Sequence, residues 1–294
     1  MQHKTVLLHE AVDGLNLTAS STVVDATFGS GGHAQEIVKK LGKTGCYIGI
    51  DADATALDRT KIGDSKATVH LVYDNFSNIT QILSSLQIEK VDAILADLGW
   101  RMEQFADGNK GFSFMHDGPL HMTFGDPADY PFTAEDIVNG WAENVIADVL
   151  YGYADERFAR RIAKGIVDAR KREHISTTAQ LVKVIEASLP KVALHKRIHP
   201  ATLTFQALRI AVNNELSVLE TFIKDGFAEL KSGGTIAIIT FHSIEDRVVK
   251  HTFRELKDAK LAVLTPKKPI VPTAEELKDN PRARSAKLRI LTKL

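Results

Sequence analysis

Asp25, Gly29, Gly31, Gly32, Asp51 and Asp97 are the residues of this chain whose types and spacing could do chemistry. The glycines fall in a turn that follows an apolar run ending at Val24 and precedes an amphipathic stretch. Glycine in such a turn lets backbone approach a ligand closely. A second apolar run, Cys46 to Ile50, ends on Asp51. An acidic residue at that strand end is placed to accept hydrogen bonds from ribose hydroxyls. The pattern is that of an α/β domain that holds an adenosine-containing cofactor.

The glycines alone leave the cofactor open. Gly29, Gly31 and Ala34 fit a loose dinucleotide fingerprint, so a nicotinamide-dependent dehydrogenase is one reading. Asp25 argues for another. It stands before the glycines on the strand end, where a pyrophosphate would lie, and a carboxylate there repels phosphate. It suits a cationic ligand such as S-adenosyl-L-methionine, with its sulfonium and amino groups. A third apolar run leads into Tyr73, Asp74, Asn75 and Phe76, and a fourth, Val91 to Ala96, ends on Asp97. Polar and aromatic groups at successive strand ends line one crevice in a parallel sheet. These features favour a methyltransferase over a dehydrogenase.

The elements that must position these residues follow from the hydrophobic rhythm. Strands are expected at 22–27, 45–51, 68–73 and 91–97, with helices near 32–41, 53–60 and 78–86. That alternation predicts a parallel sheet with helices on both faces. The rhythm stops at 98–132, a long loop rich in Gly, Asp, Pro and aromatic residues. From Thr133 to about Pro200 the pattern is helical, with starts marked by Thr133 with Asp136 and by Thr178. Strands resume at Thr235 to Phe241 after Gly233 and Gly234, and a last one is expected in 286–293. Residues 265–285, with their prolines and charges, read as an extended surface segment. A helical module is therefore inserted into an α/β domain.

Composition sets the outer bounds. The chain has 294 residues, 44% of them hydrophobic, enough for one large core or two smaller ones. Lys+Arg and Asp+Glu are both 37, so any nucleic-acid binding must come from local patches rather than a global field. The single cysteine, Cys46, lies in a core strand and is expected to be a buried, inert thiol. With no signal pattern and no membrane-length apolar run, the expectation is a soluble, cytoplasmic protein without a membrane partner. The pairs His195/His199 and His116/His121 lack a third ligand or a cysteine pair, so no metal site is expected.

A family resemblance enters through longer motifs. Val6–Glu10 (VLLHE), Asp25–His33 (DATFGSGGH), Gly111–Leu120 (GFSFMHDGPL), Glu156–Ala163 (ERFARRIA), His199–Thr202 (HPAT), Thr204–Ile210 (TFQALRI), Phe241–Lys250 (FHSIEDRVVK) and Asn280–Arg289 (NPRARSAKLR) run in order along the whole chain. Together they strongly resemble the RsmH (MraW) family. The resemblance implies methylation of N4 of a cytidine in the decoding region of bacterial small-subunit (16S) ribosomal RNA, with S-adenosyl-L-methionine as donor. It implies a class I α/β methyltransferase, a Rossmann-like, mostly parallel sheet with an inserted all-helical domain. On that reading residues 1–104 and 206–294 form the methyltransferase domain, and 105–205 form the loop and the inserted substrate-recognition domain. By resemblance Gly31, Gly32 and His33 surround the methionine part of the cofactor. Asp51 holds the ribose, Phe76 flanks the adenine, and Asp97 and Gln104 complete the pocket. The family also implies a homodimer.

The chain departs from the family pattern in three places. Where the family usually reads Val-Ser-Ser after Asp-Leu-Gly, this chain has Trp100, Arg101 and Met102. Where it usually reads Leu-Asp-Met-Arg-Met, this chain has Leu120, His121, Met122, Thr123 and Phe124, and Leu203 replaces an arginine. These segments are expected near the target base or the RNA. Two further acceptor readings stay open: the same fold acting on a different RNA acceptor, and a non-catalytic RNA-binding assembly factor.

The remaining candidates concern the acceptor. The cytosine amine is a poor nucleophile, so an enzyme must orient it and accept its hydrogen bond or proton. Asp97 and Trp100 have the spacing at which amino methyltransferases place such a group and an aromatic that stacks on the extruded base. His242 is expected to border the crevice as a third catalytic residue, or else Ser243 merely caps a helix with Asp246. RNA phosphates need basic groups. Arg157, Arg160, Arg161 and Lys164 crowd one helical stretch, Lys196 and Arg197 follow, and Arg247 borders the crevice. A further basic cluster holds Arg282, Arg284, Lys287 and Arg289.

Overall fold

Alternate residues of each central strand enter different hydrophobic cores, and that alternation builds the sheet. The computed structural model describes residues 4–53, 56–57, 62–63, 65–98, 110–194 and 198–294. Seven strands form one sheet: β1 (Thr22–Asp25), β2 (Cys46–Asp51), β3 (Thr68–Tyr73), β4 (Val91–Asp97), β5 (Leu230–Thr240), β6 (Ala262–Leu264) and β7 (Lys287–Lys293). Their order is β3-β2-β1-β4-β5-β7-β6. The five strands from β3 to β5 are parallel, and β7 is antiparallel to both β5 and β6. Val23, Ala93, Leu95, Ala237 and Ile239 enter one core with the helices Leu8–Gly14 and Gly32–Lys40. Val24, Ile94, Ala96, Ile236 and Ile238 enter the other, against helices Ile79–Ser85, Glu215–Glu229 and Ser243–Asp258. A one-residue slip of any central strand would exchange the two sets, so both cores fix the register.

Connectivity runs outward from β1 to β3, then returns to place β4 on the other side of β1. The order reverses between β1 and β4, and ligands of such sheets bind beyond the carboxyl ends of the strands at that point. Asp25 and Asp97 end those two strands.

The chain divides into two compact units, Met1–Gly99 with Leu216–Leu294, and Trp100–Glu215. The first holds the sheet. The second is helical, with helices Ala134–Gly140, Glu143–Ala154, Ala159–Arg170, Thr178–Ser188, Lys191–Leu194 and Thr202–Val212. Its core gathers Leu120, Ile137, Leu150, Ile162, Leu181, Phe205 and Leu208. Helix Thr202–Val212 thus lies wholly in the helical unit, because its buried face packs into that core.

Several elements differ from the sequence expectation. β5 begins at Leu230, before Gly233 and Gly234, with a register shift opposite Val91 and Ala93. The double glycine therefore marks a bulge within the strand instead of a turn before it. The short β6 was not foreseen, and 265–285 contains helix Ala274–Asp279 and a 3-10 turn, Pro281–Ser285. Thr133 with Asp136 forms the expected capping box, but the next box is Thr177 with Gln180, one residue earlier than Thr178. The helix expected near 53–60 falls largely outside the described residues. Cys46 is half-buried, and burial pushes its thiol up. Among the described residues no helix is long and apolar enough to cross a membrane.

Candidate functional site

The glycine turn is fixed by backbone from three strands. Ala26 N–H donates to Leu95 carbonyl at 2.8 Å and Phe28 N–H to Ile50 carbonyl at 2.9 Å. The chain then takes positive φ at Gly29 (55°) and Gly31 (73°), the region that favours glycine. Helix Gly32–Lys40 begins at once, and no side chain caps it. A Cβ on Gly32 would run into the Thr5 hydroxyl. This is a bare backbone cradle whose helix presents its positive end.

Asp51 closes the cradle from the neighbouring strand. Its Oδ2 accepts from Gly29 N–H at 2.8 Å and its Oδ1 from Asp53 N–H at 2.9 Å. The carboxylate is thereby oriented at the end of its strand, where an acceptor for ribose hydroxyls is needed. Phe76 sits on a 3-10 turn just after β3, half-buried, with its ring edge-to-face on Phe222 at 4.9 Å. Asp97 ends β4; its N–H donates to the Thr27 hydroxyl at 2.6 Å. Its side chain is 18% exposed, and Oδ2 lies 3.7 Å from Nδ1 of the buried His33. Gly31, Gly32, His33, Asp51 and Asp97 thus gather at the carboxyl ends of β1, β2 and β4, and Phe76 follows β3. Bare glycine backbone, an oriented carboxylate, an aromatic ring and a second carboxylate fit the ribose, the base and the cationic end of S-adenosyl-L-methionine. Trp100 and Gln104 lie outside the described residues.

Asp25 does not face the ligand. It is buried, with Oδ2 accepting from the Tyr47 hydroxyl at 2.8 Å and Oδ1 from Thr27 N–H at 3.2 Å. It anchors the turn from below, whereas the sequence reading aimed it at the cofactor. Burial pushes its carboxyl up to about 6; the Tyr47 and Thr27 hydrogen bonds oppose the rise and Asp51 adds to it. A native value above the unfolded one means that the native state binds the proton more tightly. Stability is then highest below about pH 4 and declines as pH rises to about 6, by about 3 kcal/mol in all. Asp25→Asn is expected to remove that decline. Unfolding free energies of both proteins from pH 4 to 7 check this, and parallel curves would place the titration elsewhere. Thr27 escaped the sequence reading, although a hydroxyl directly after a buried strand was the available signal.

His242 caps a helix. Its Nδ1 accepts from Glu245 N–H at 3.2 Å, while Glu245 Oε2 accepts from Phe241 N–H at 2.9 Å and His242 N–H at 3.3 Å. The cap is therefore His242 with Glu245, and not Ser243 with Asp246, the alternative reading of this segment. Asp246 instead holds Lys287 at 2.8 Å and Arg289 at 2.7 Å. Burial raises the Asp246 carboxyl, but those hydrogen bonds outweigh it and leave it below its ordinary value. These two cations of the C-terminal cluster are committed to the fold. Arg247 is exposed on the same helix.

In the helical unit Arg157, Arg160 and Arg161 are exposed. Lys164 is exposed too, but Asp168 holds it at 2.8 Å and raises its pKa. Lys196 and Arg197 lie outside the described residues. The departures at 120–124 are largely internal. Thr123 is buried, His121 is half-buried, Phe124 stacks on Phe112 with centroids 5.4 Å apart, and Leu203 packs on the same core. Thr123, Phe124 and Leu203 therefore pack within the helical unit, in segments that the sequence places near the target base or the RNA.

The comparisons with known proteins agree along the full length. The MraW methylase family profile matches residues 1–294. A protein of Clostridioides difficile is 40% identical over 310 residues, spanning 99% of each chain. One of Ruminiclostridium cellulolyticum is 42% identical over 313 residues, spanning 100% of this chain and 99% of its own. Both are named ribosomal RNA small subunit methyltransferase H. A solved structure described as a putative rRNA-methylase, from Clostridium thermocellum, aligns over 100% of both chains with 13% identity and a TM-score of 0.47.

Proposed function

The chain belongs to the MraW methylase family, and from that premise we propose that it methylates N4 of a cytidine in the decoding region of 16S ribosomal RNA. The methyl donor is S-adenosyl-L-methionine, which supplies an electrophilic methyl on a sulfonium. The observation that carries the reading is the convergence of the glycine cradle, Asp51 and Asp97 at the point where the strand order reverses.

Each described residue has a task that its surroundings permit, and Gln104 and Trp100 take those that the family resemblance and the spacing suggest. Asp51 accepts from the ribose hydroxyls, Phe76 flanks the adenine, and Gln104 completes the pocket. The backbone of Gly31 and Gly32, with His33, surrounds the methionine part. Asp97 is largely buried at the strand end, beside His33, and accepts from the cytosine amine, orienting its lone pair and drawing off its proton as the nitrogen bonds the methyl carbon and the carbon–sulfur bond breaks. Trp100 stacks on the extruded base. His242 acts as a positioning residue, since its Nδ1 holds the start of a helix.

Phosphate binding falls to Arg157 and Arg161, together with Arg160, on the helical unit, with Lys196, Arg197 and Arg247 as further contacts. Lys164 contributes less, because Asp168 already neutralises it. The substrate is the RNA within the assembled small subunit, in the cytoplasm. A different acceptor base is the second reading, prompted by Trp100, Arg101 and Met102, which replace the family's usual residues after β4.

Methyl transfer from labelled S-adenosyl-L-methionine to unmethylated small subunits tests the proposal, with the product nucleoside identified by mass spectrometry. N4-methylcytidine in the decoding region is the expected product. Another labelled nucleoside would establish the second reading, and no transfer to subunits or to their RNA would overturn both.

A further inference from the structure

We propose that His199, held face-to-face against Phe114, is a stacking platform for an unpaired base of the RNA. The inference rests on the reading of the protein as an RNA methyltransferase and adds a substrate contact on the helical unit. The two rings are 4.4 Å apart between centroids and inclined by 16°. Phe114 is in turn set edge-to-face on Phe205, 5.5 Å away, and Phe205 belongs to the buried core. The imidazole is fixed at its edge as well. Its Nδ1 accepts from Ala201 N–H at 3.2 Å, and its Nε2 lies 3.8 Å from Glu186 Oε1. An accepting Nδ1 puts the proton of the neutral ring on Nε2, toward Glu186. With one face covered by Phe114, the side chain is still 37% exposed.

The surroundings define what this ring can take. Met115 is 74% exposed and Ile198 57% exposed, each next in the chain to one of the stacked residues. Met115 stands on an anchored loop. Its N–H donates to the Ser113 hydroxyl at 3.1 Å, the Thr178 hydroxyl donates to His116 carbonyl at 3.0 Å, and Ala179 N–H donates to Asp117 Oδ1 at 3.0 Å. Rigid apolar groups kept in water mark a contact surface. Glu186 disfavours a phosphate here, whereas the flat face of a base meets an aromatic ring and two apolar neighbours without needing a charge. Only an unpaired base offers such a face, because bases in a duplex are already stacked.

Binding of wild type and variants to unmethylated small subunits tests the inference, alongside methyl transfer. His199→Ala is expected to weaken binding about 5- to 100-fold, the range that loss of one stacked base produces. His199→Phe is expected to recover most of it, since stacking needs a ring and not its nitrogens. Met115→Ser, a change at the surface, is expected to weaken binding less but in the same direction. Wild-type binding by His199→Ala would overturn the platform. So would equal loss in the Ala and Phe variants when both melt like wild type. Absence of methyl transfer by the wild type would instead overturn the proposed function, while the binding series would still decide on His199.

Discussion

Replacing Asp97 by alanine is expected to lower kcat for methyl transfer about 100- to 10,000-fold, the usual contribution of a positioned proton-accepting group. That corresponds to about 3–5 kcal/mol of the barrier. The reason lies in the acceptor. The amine lone pair of cytosine is delocalised into the ring, so nucleophilicity must be drawn out by a partner that strengthens its hold as charge develops. In the proposed reaction the Asp97 carboxylate at the β4 end is that partner. Its backbone is held by the Thr27 hydroxyl and its side chain lies beside the buried His33, so it reorganises little during the reaction. The site is a strand end and not a core position, so Asp97→Ala should melt close to wild type. Asp97→Asn separates two roles, since an amide oxygen still orients the amine but accepts a proton poorly. Recovery of most activity in the Asn variant would make Asp97 an orienting group, and persistent loss would make it the proton acceptor. Cofactor affinity, measured by equilibrium dialysis, should fall much less than kcat. A near-wild-type kcat in Asp97→Ala would remove Asp97 from the chemistry.

The parts of the molecule that were legible in the sequence share a physical origin. Period-two burial in β1, β4 and β5 places one apolar set on each face of the sheet, so runs such as Val91 to Ala96 announce themselves. The glycine turn was legible because positive φ at Gly29 and Gly31 restricts residue choice. What stayed hidden depends on partners distant in sequence. Asp25 turns toward Tyr47, a tyrosine on the neighbouring strand that no local pattern connects to it. Lys287 and Arg289 read as a solvent-facing basic cluster until Asp246 is found between them. The buried Met122 and Thr123 lie in a loop, and loops carry no periodicity from which burial can be read. His242 was singled out for its chemistry, but the same imidazole nitrogen is a good acceptor for a helix N-terminus. Strand ends therefore predicted positions well and side-chain directions poorly.

The second large effect concerns stability of the helical unit. Arg209 and Glu215 form a two-pronged ion pair, Nε to Oε1 at 2.8 Å and a terminal nitrogen to Oε2 at 3.0 Å. Their side chains are only 9% and 12% exposed. The pair straps a tight turn. Helix Thr202–Val212 ends, Asn213 N–H donates back to Arg209 carbonyl at 3.0 Å, and Asn214 takes a positive φ of 48° before Glu215. The Asn213 side chain joins the turn to the loop at 120–124, donating to Met122 carbonyl at 2.7 Å and accepting from Phe124 N–H at 3.1 Å. Removing one charge takes from the other, still desolvated, the two hydrogen bonds of the pair, which costs about 3–5 kcal/mol. Arg209→Met and Glu215→Leu are each expected to destabilise the unit by that amount. The double variant should recover much of the loss, because two apolar side chains leave neither charge of the pair behind. Both tryptophans of the chain, Trp100 and Trp141, fall within the residue range of this unit, so their fluorescence in a urea titration reads the transition. Added salt should barely change the cost, since desolvated pairs are weakly screened. Single variants within about 1 kcal/mol of wild type would show instead a pair that behaves as a solvent-exposed one.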